Sequence, residues 1–342
     1  SVFKLVTAIG ALNEGVVTPD QWVDTPGYII LIQKYYANDP GKPKKFVDWI
    51  YDNGAHPEGF GKLTVRGCIQ NSSNVCFYKL AGGYKDEIPN GGLNICRLKT
   101  YAEALGYGHP SGIELPGEED GLIPSPTWKR ITQGENWATG DTYIAGVGQG
   151  YVLVTPLQVL MSAATIANDG RLMQPTIVHE VVDGEGNVVT PFTPRLKWDI
   201  TQDNLIKEYA PRASVSNRCQ ETGETKNVDP YFVQVVQEGM RLAVTDGTLK
   251  EVFEGFKIAA AGKTGTAEYC DNVAQSKRLC VPGSWPTHGW TVAYAPYDDP
   301  EIAVVAFLYN AGEGAKVAGP VVRGVIENYF NLKTIDAGGE TP

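Results

Sequence analysis

The chain opens with Ser1-Val2-Phe3-Lys4, and apolar residues at 2, 3, 5, 6, 9 and 12 continue at helical spacing. On a helix, that spacing puts the lysine one turn from the serine on the same face. A serine hydroxyl is a poor nucleophile until a base takes its proton. Lysine can be that base only when its amine is neutral, a state favoured by burial or by a second cation nearby. Lys263, in the run Lys263-Thr264-Gly265-Thr266, is such a cation. In Ser72-Ser73-Asn74, Ser72 can relay a proton to a leaving amine and Asn74 can hold a peptide backbone. Gly265 removes a side chain so that a substrate can lie along a strand edge. Thr264 and Thr266 offer hydroxyls to a carboxylate held by Lys263. The backbone N–H groups of Ser1 and Thr266 would form an oxyanion hole, with each donor worth a factor of about 10²–10³.

Singly, each run has a plainer reading. Ser1-x-x-Lys4 reads as a helix cap with a solvated lysine, Ser72-Ser73-Asn74 as a helix start, and Lys263-Thr264-Gly265 as a strand with a surface lysine. Their joint occurrence in this order favours the catalytic reading.

The surrounding pattern supplies elements to position them. Residues 1–13 read as a helix stopped by Gly15, and 16–62 as a long irregular surface excursion. Leu63 and Val65 precede a turn of helix. Helices follow over 74–80, closed by Gly82-Gly83, and over 96–105, before a turn-rich run at 106–126. Thr155 and Pro156 open a helix that ends before Gly170. Asp183-Gly184-Glu185-Gly186 marks a hairpin between 174–182 and 187–192. A helix from Asp229-Pro230 to about Val244 leads to strands over 256–269, 288–295 and 301–309, and a helix over 319–330 closes the pattern. This order predicts an α+β fold, an antiparallel sheet flanked by helices. Val304 to Leu308 is apolar on both faces and reads as a central strand. The Lys263 run carries glycines and reads as an edge beside a ligand.

With 342 residues, 42% hydrophobic and 20% charged, the composition is that of a globular protein. A net charge of −10 argues against nucleic acid or an anionic membrane as partner. No run approaches the roughly 20 apolar residues of a spanning helix. The six cysteines form no Cys-x-x-Cys pair. Cys270 and Cys280 bracket a polar loop and are either bridged or free; the other four read as buried thiols. The loop from Glu268 to Thr287 is long for a hairpin connection and reads as a lid.

The ordered set Ser-x-x-Lys, Ser-x-Asn, Lys-Thr-Gly resembles that of the penicillin-recognising serine acyltransferases. Gly146 to Tyr151 with Thr155-Pro156-Leu157-Gln158, Gly239-Met240, Gly247-Thr248 and His288-Gly289-Trp290 are similar to class B penicillin-binding proteins. Gly112 to Pro116, Trp128-Lys129 and Gly140-Asp141-Thr142 resemble the elongation-type subgroup. The resemblance implies a penicillin-binding protein/β-lactamase-like fold with an all-helical subdomain, as one transpeptidase domain over 1–333 and a tail over 334–342. It also implies a periplasmic or extracytoplasmic D,D-transpeptidase without a cofactor. Such an enzyme cross-links peptidoglycan stem peptides and is acylated by β-lactams. It would work beside a SEDS-family glycosyltransferase and cell-elongation proteins, anchored at the plasma membrane by a segment outside this chain.

In that family two strands and a helix precede the nucleophile's helix, whereas here nothing precedes Ser1. The expectation is an N-terminally incomplete domain, with a free amine in place of an oxyanion-hole amide and weaker β-lactam labelling than a longer chain. Rival readings are a serine β-lactamase or β-lactam sensor, an N-terminal nucleophile hydrolase, and an inactive truncated fragment. The first needs a deacylating base, for which Glu114, Glu118 and Glu119 are the candidates. The four histidines are too scattered for a Ser-His-Asp triad, and His288 reads as packing. Some elongation-type members hold zinc between the first two motifs. Asp24, Asp48, His56 and Cys68 occupy that interval, but Ser73 stands where a cysteine would be expected, so the expectation is a solvated loop without metal.

Overall fold

The structure is a computed structural model that describes residues 1–33, 38–52, 56–89, 91–210, 219–281 and 283–336. Its organising layer is an antiparallel sheet of β1 (Ala261–Glu268), β2 (Thr287–Ala295) and β3 (Ile302–Leu308), with β2 in the middle. Successive residues of β2 alternate between faces. Trp290, Val292 and Tyr294 enter the larger core, while Ala293 and Ala295 join a smaller one with Leu249, Phe253, Val322 and Ile326. The small alanine side chains let α8 (Gly319–Asp336) pack close on that second face. Residues 337–342 of the expected tail lie outside the described residues.

Val304 to Leu308, read as a central strand, lies at one edge of this three-stranded layer. Among the described residues β3 pairs with β2, and most of its side chains are only half-buried. Its two apolar faces meet the two cores, Ala303 and Val305 on the larger and Ile302, Val304 and Leu308 on the smaller.

On the larger core's side, α1 (Lys4–Asn13) is buried from Lys4 through Leu12. A helix apolar all round belongs in a core, so the whole of α1 is enclosed rather than one face. Around it stand α2 (Val65–Gln70), α3 (Asn74–Gly82), α4 (Asn94–Ala104) and α7 (Pro230–Asp246), the last against both α2 and β1. The helical lobe is completed by α5 (Thr139–Gly146), which packs on α3 and α4. In α6 (Pro156–Ala167), Thr155 Oγ1 accepts from Gln158 N at 3.2 Å and Gln158 Oε1 accepts from Thr155 N at 3.1 Å. That reciprocal cap fixes the start read from the sequence.

The stretch 16–62 is more ordered than its composition indicated. Val23–Thr25 pairs with Gly61–Leu63, and Tyr28–Gln33 pairs with Lys42–Val47 as a hairpin. Pro43 and three lysines disguise the second hairpin strand, a composition tolerated because it is an edge. Phe46 seats the hairpin on the helical lobe, its ring centroid 5.6 Å from that of Tyr78 and 5.0 Å from that of Tyr143. The expected all-helical subdomain therefore carries a β-hairpin.

The cysteine reading is also corrected. Cys68 and Cys76 form one disulfide and Cys96 and Cys219 another, so these four are not buried thiols. Cys270 and Cys280 are bridged, closing the base of the 268–287 loop, which contains a short helix at Asn272–Ser276.

Candidate active site

Three segments distant in sequence meet at the N-terminal end of α1. The bond from Lys4 N to Ser1 O, 3.1 Å, winds the chain so that Ser1 sits one tight turn before the lysine. Lys4 is fully buried, and its Nζ donates to Ser72 O at 2.6 Å and to Asn74 Oδ1 at 2.7 Å. It also lies 3.2 Å from Ser72 Oγ. From β1, buried Lys263 Nζ donates to the same Ser72 Oγ at 2.7 Å and to Thr264 O at 3.0 Å. Ser72 occupies the α2–α3 turn with φ of 53°, the left-handed region, which aims its hydroxyl between the two amines. Among the described residues, no hydrogen bond joins Ser1 Oγ to Lys4.

Burial pushes the Lys4 amine down to about 7, with the Asp48 carboxylate acting in the opposite direction. Burial, reinforced by the charge of Lys4, holds Lys263 well below the usual lysine range. Neutral Lys4 has two N–H bonds to give, and Ser72 O and Asn74 Oδ1 can take both. Its lone pair is then left to accept a proton, as a general base requires.

The far side of the site is the edge of β1 that carries no paired strand among the described residues. Thr264 Oγ1 donates to Thr248 Oγ1 at 3.0 Å, and Thr266 Oγ1 accepts from Gly314 N at 3.1 Å. Gln149 Nε2 reaches Thr266 O at 3.4 Å across that edge. Thr248 and Gln149 lie in runs visible in the sequence, but only their contacts with β1 mark them as part of the site. A Cβ at Gly265 would point inward, 3.1 Å from Trp290 Cβ and 3.4 Å from Val2 N. The glycine thus lets β1 close against the start of α1. Gly265→Val is expected to cost about 1–3 kcal/mol of stability by overpacking. It should also slow acylation, measured by denaturant unfolding and β-lactam labelling; wild-type values in both would refute this role.

The carboxylates weighed as deacylating bases are engaged elsewhere. Glu114 accepts from Thr176 and Ile177, and Glu118 from Ser111 and Gly112; Glu119 is exposed. The residues weighed for zinc do not fit a metal. Cys68 is in a disulfide, His56 pairs with Glu58 at 3.3 Å, and Asp48 Oδ2 accepts from Ser73 Oγ and Val75 N. Asp24 engages through its backbone, with its N–H on Glu87 and its carbonyl accepting from Lys79. His288 stacks on Tyr269 with ring centroids 3.8 Å apart and contacts Tyr309 and Phe307, a packing role.

Residues 1–327 match the family model described as penicillin binding protein transpeptidase domain. The chain is 30% identical over 337 residues to the peptidoglycan D,D-transpeptidase MrdA of Haemophilus influenzae, which covers 97% of this chain and 44% of that protein. The Escherichia coli MrdA is 28% identical over 336 residues, again spanning 44% of that protein. The chain thus covers less than half the length of these curated relatives. Among solved structures, Pseudomonas aeruginosa PBP2 superposes with a TM-score of 0.68 at 28% identity, covering 96% of this chain and 60% of that chain. With the family match spanning nearly all of its length, and the fold and motif arrangement in agreement, this chain belongs to the penicillin-binding protein transpeptidase domain family.

Proposed function

We propose that this chain is the acyl-transfer unit of an elongation-type peptidoglycan D,D-transpeptidase. The observation that carries the reading is the convergence of two buried lysines on one hydroxyl, Ser72 Oγ, at 3.2 Å and 2.7 Å. In this reading Lys4 takes the Ser1 proton as Ser1 Oγ attacks the carbonyl carbon between the last two residues of a stem peptide. Backbone N–H groups of Ser1 and Thr266 hold the oxyanion. The C–N bond breaks, and the leaving amine takes a proton from Ser72, which is resupplied by the protonated lysine. An amine of a second stem peptide then displaces Ser1 and forms the cross-link. Asn74 holds the peptide backbone, and Lys263 with Thr264 and Thr266 holds the terminal carboxylate, while Gly265 keeps β1 against α1.

Three disulfides support an oxidising compartment, hence the extracytoplasmic side of the membrane. The MrdA names support the elongation reading. A peptidoglycan synthase complex at 29% identity, and a Helicobacter pylori PBP2 in complex with MreC at 25%, support a glycan-polymerising partner and a cell-elongation scaffold. A SEDS-family polymerase is the partner proposed here.

The test is labelling of the full chain with a fluorescent penicillin, followed by release of the label. Labelling that is lost in Ser1→Ala, with release over many minutes, is the expected result. Rapid turnover of a chromogenic cephalosporin would make the protein a β-lactamase instead.

A further inference from the structure

We propose that Asp48 is a positioning residue for acyl transfer, holding the Ser72–Asn74 turn in its working geometry from the end of the 28–47 hairpin. This rests on the transpeptidase reading above. Asp48 is fully buried at the point where the hairpin ends, anchored by its own N–H on Gly27 O at 2.8 Å. Its Oδ2 accepts from Ser73 Oγ at 2.6 Å and from Val75 N at 2.9 Å. The next residue holds the other end of the same turn, with Trp49 Nε1 donating to Asn71 O at 3.0 Å. Two adjacent side chains therefore clip a turn whose middle residue, Ser72, has a left-handed backbone. That conformation is costly for a non-glycine residue and persists only where its surroundings impose it. The Cys68–Cys76 disulfide closes the same turn from the helix side.

Among the described residues, Asp48 Oδ1 is buried without a hydrogen-bond partner. A carboxylate left half-satisfied in a core is a cost that packing alone does not explain. Its charge acts on the lysine at the centre of the site. The charged and titratable groups around Lys4 are Lys263 from β1 and Asp48 from the hairpin end. Ser72 and Asn74 face it as neutral partners, and the Phe77 ring lies 5.7 Å away. Among the described residues, Asp48 is thus the acidic group acting on Lys4 beside a second buried amine, that of Lys263. It favours the protonated form of Lys4 and keeps the neutral form a stronger base.

The experiment compares acylation rates of Asp48→Asn and Asp48→Ala with wild type across pH, using a fluorescent penicillin on the full chain, with Ser1→Ala as blank. Asp48→Asn keeps an acceptor for Ser73 and Val75 but removes the charge, and its amide nitrogen falls where Oδ1 has no partner to clash with. Its acidic limb should move to lower pH, by about half a unit or more. Asp48→Ala also releases the turn and should slow acylation about 10-fold or more, since small misplacements at a reacting centre are costly. If the alanine variant fails to fold, Asp48→Asn decides alone, because a purely structural cap would leave its pH profile at the wild-type position. Unchanged rates and an unchanged limb in a folded Asp48→Asn variant overturn the proposal. Absence of labelling in wild type would instead overturn the transpeptidase reading on which it rests.

Discussion

Ser1→Ala is expected to abolish β-lactam acylation, and Lys4→Ala to slow it by about 10²–10⁴-fold, the usual worth of a positioned general base. Lys4→Arg should be no better than Lys4→Ala, because a guanidinium keeps its proton and cannot act as a base. The pH dependence follows from the same residue. Lys4 titrates at about 7. Below that pH the amine is protonated and has no lone pair, so acylation should fall about tenfold per pH unit down the acidic limb. Above it the rate should level off. Rates measured by rapid-mix labelling with a fluorescent penicillin check both statements. A Lys4→Arg variant as fast as wild type, or a profile flat between pH 5 and 8, would remove Lys4 from the role of base. Slow labelling in Lys4→Ala alone is less telling, since that variant also leaves Ser72 O and Asn74 Oδ1 without their donor.

The second large effect concerns stability. Cys96 on α4 is joined to Cys219, 123 residues further along the chain. Cross-linking so distant a pair removes many conformations from the unfolded chain, worth about 4–5 kcal/mol on the chain-entropy account. Polar contacts also hold this region, beside the core packing of Ile206 and Tyr209. Glu14, at the end of α1, pairs with Arg97 at 3.1 Å and Lys226 at 2.9 Å, and Tyr101 Oη donates to it at 2.8 Å. Replacing both cysteines by serine should lower the unfolding free energy by several kcal/mol, near the chain-entropy figure, while leaving Ser1 acylation intact at low temperature. Urea unfolding of the double variant beside wild type measures it; a loss under about 1 kcal/mol would show that the loop is already constrained by its packing.

The local signals in the sequence carried most of the helices and the motif residues. Thr155 with Gln158 and Asp229 before Pro230 are caps, and caps act through neighbours only a few residues away. The apolar spacing of α1 marked a buried face, and the structure encloses Lys4 through Leu12. The hairpin at 28–47 was hidden because Lys42-Pro43-Lys44-Lys45 has the composition of a loop. Its strand character comes from pairing with Tyr28–Gln33 and from Phe46 entering the helical lobe.

By itself, the sequence determined the inventory of the site: a serine one turn from a lysine, a Ser-x-Asn turn, and a Lys-Thr-Gly-Thr strand, in that order. Residue type and local spacing are enough for that, because each motif is a matter of one helical turn or one strand. Tertiary structure alone decided how the pieces act on one another. It brought Lys263 to within 2.7 Å of a hydroxyl 191 residues earlier in the chain. It turned Gly265 inward against Val2 and Trp290, selected one pairing of six cysteines from 15 possible ones, and set Asp48 under the Ser72–Asn74 turn. Those outcomes depend on sheet register, on chain crossings between distant segments and on burial, none of which any short window of residues contains.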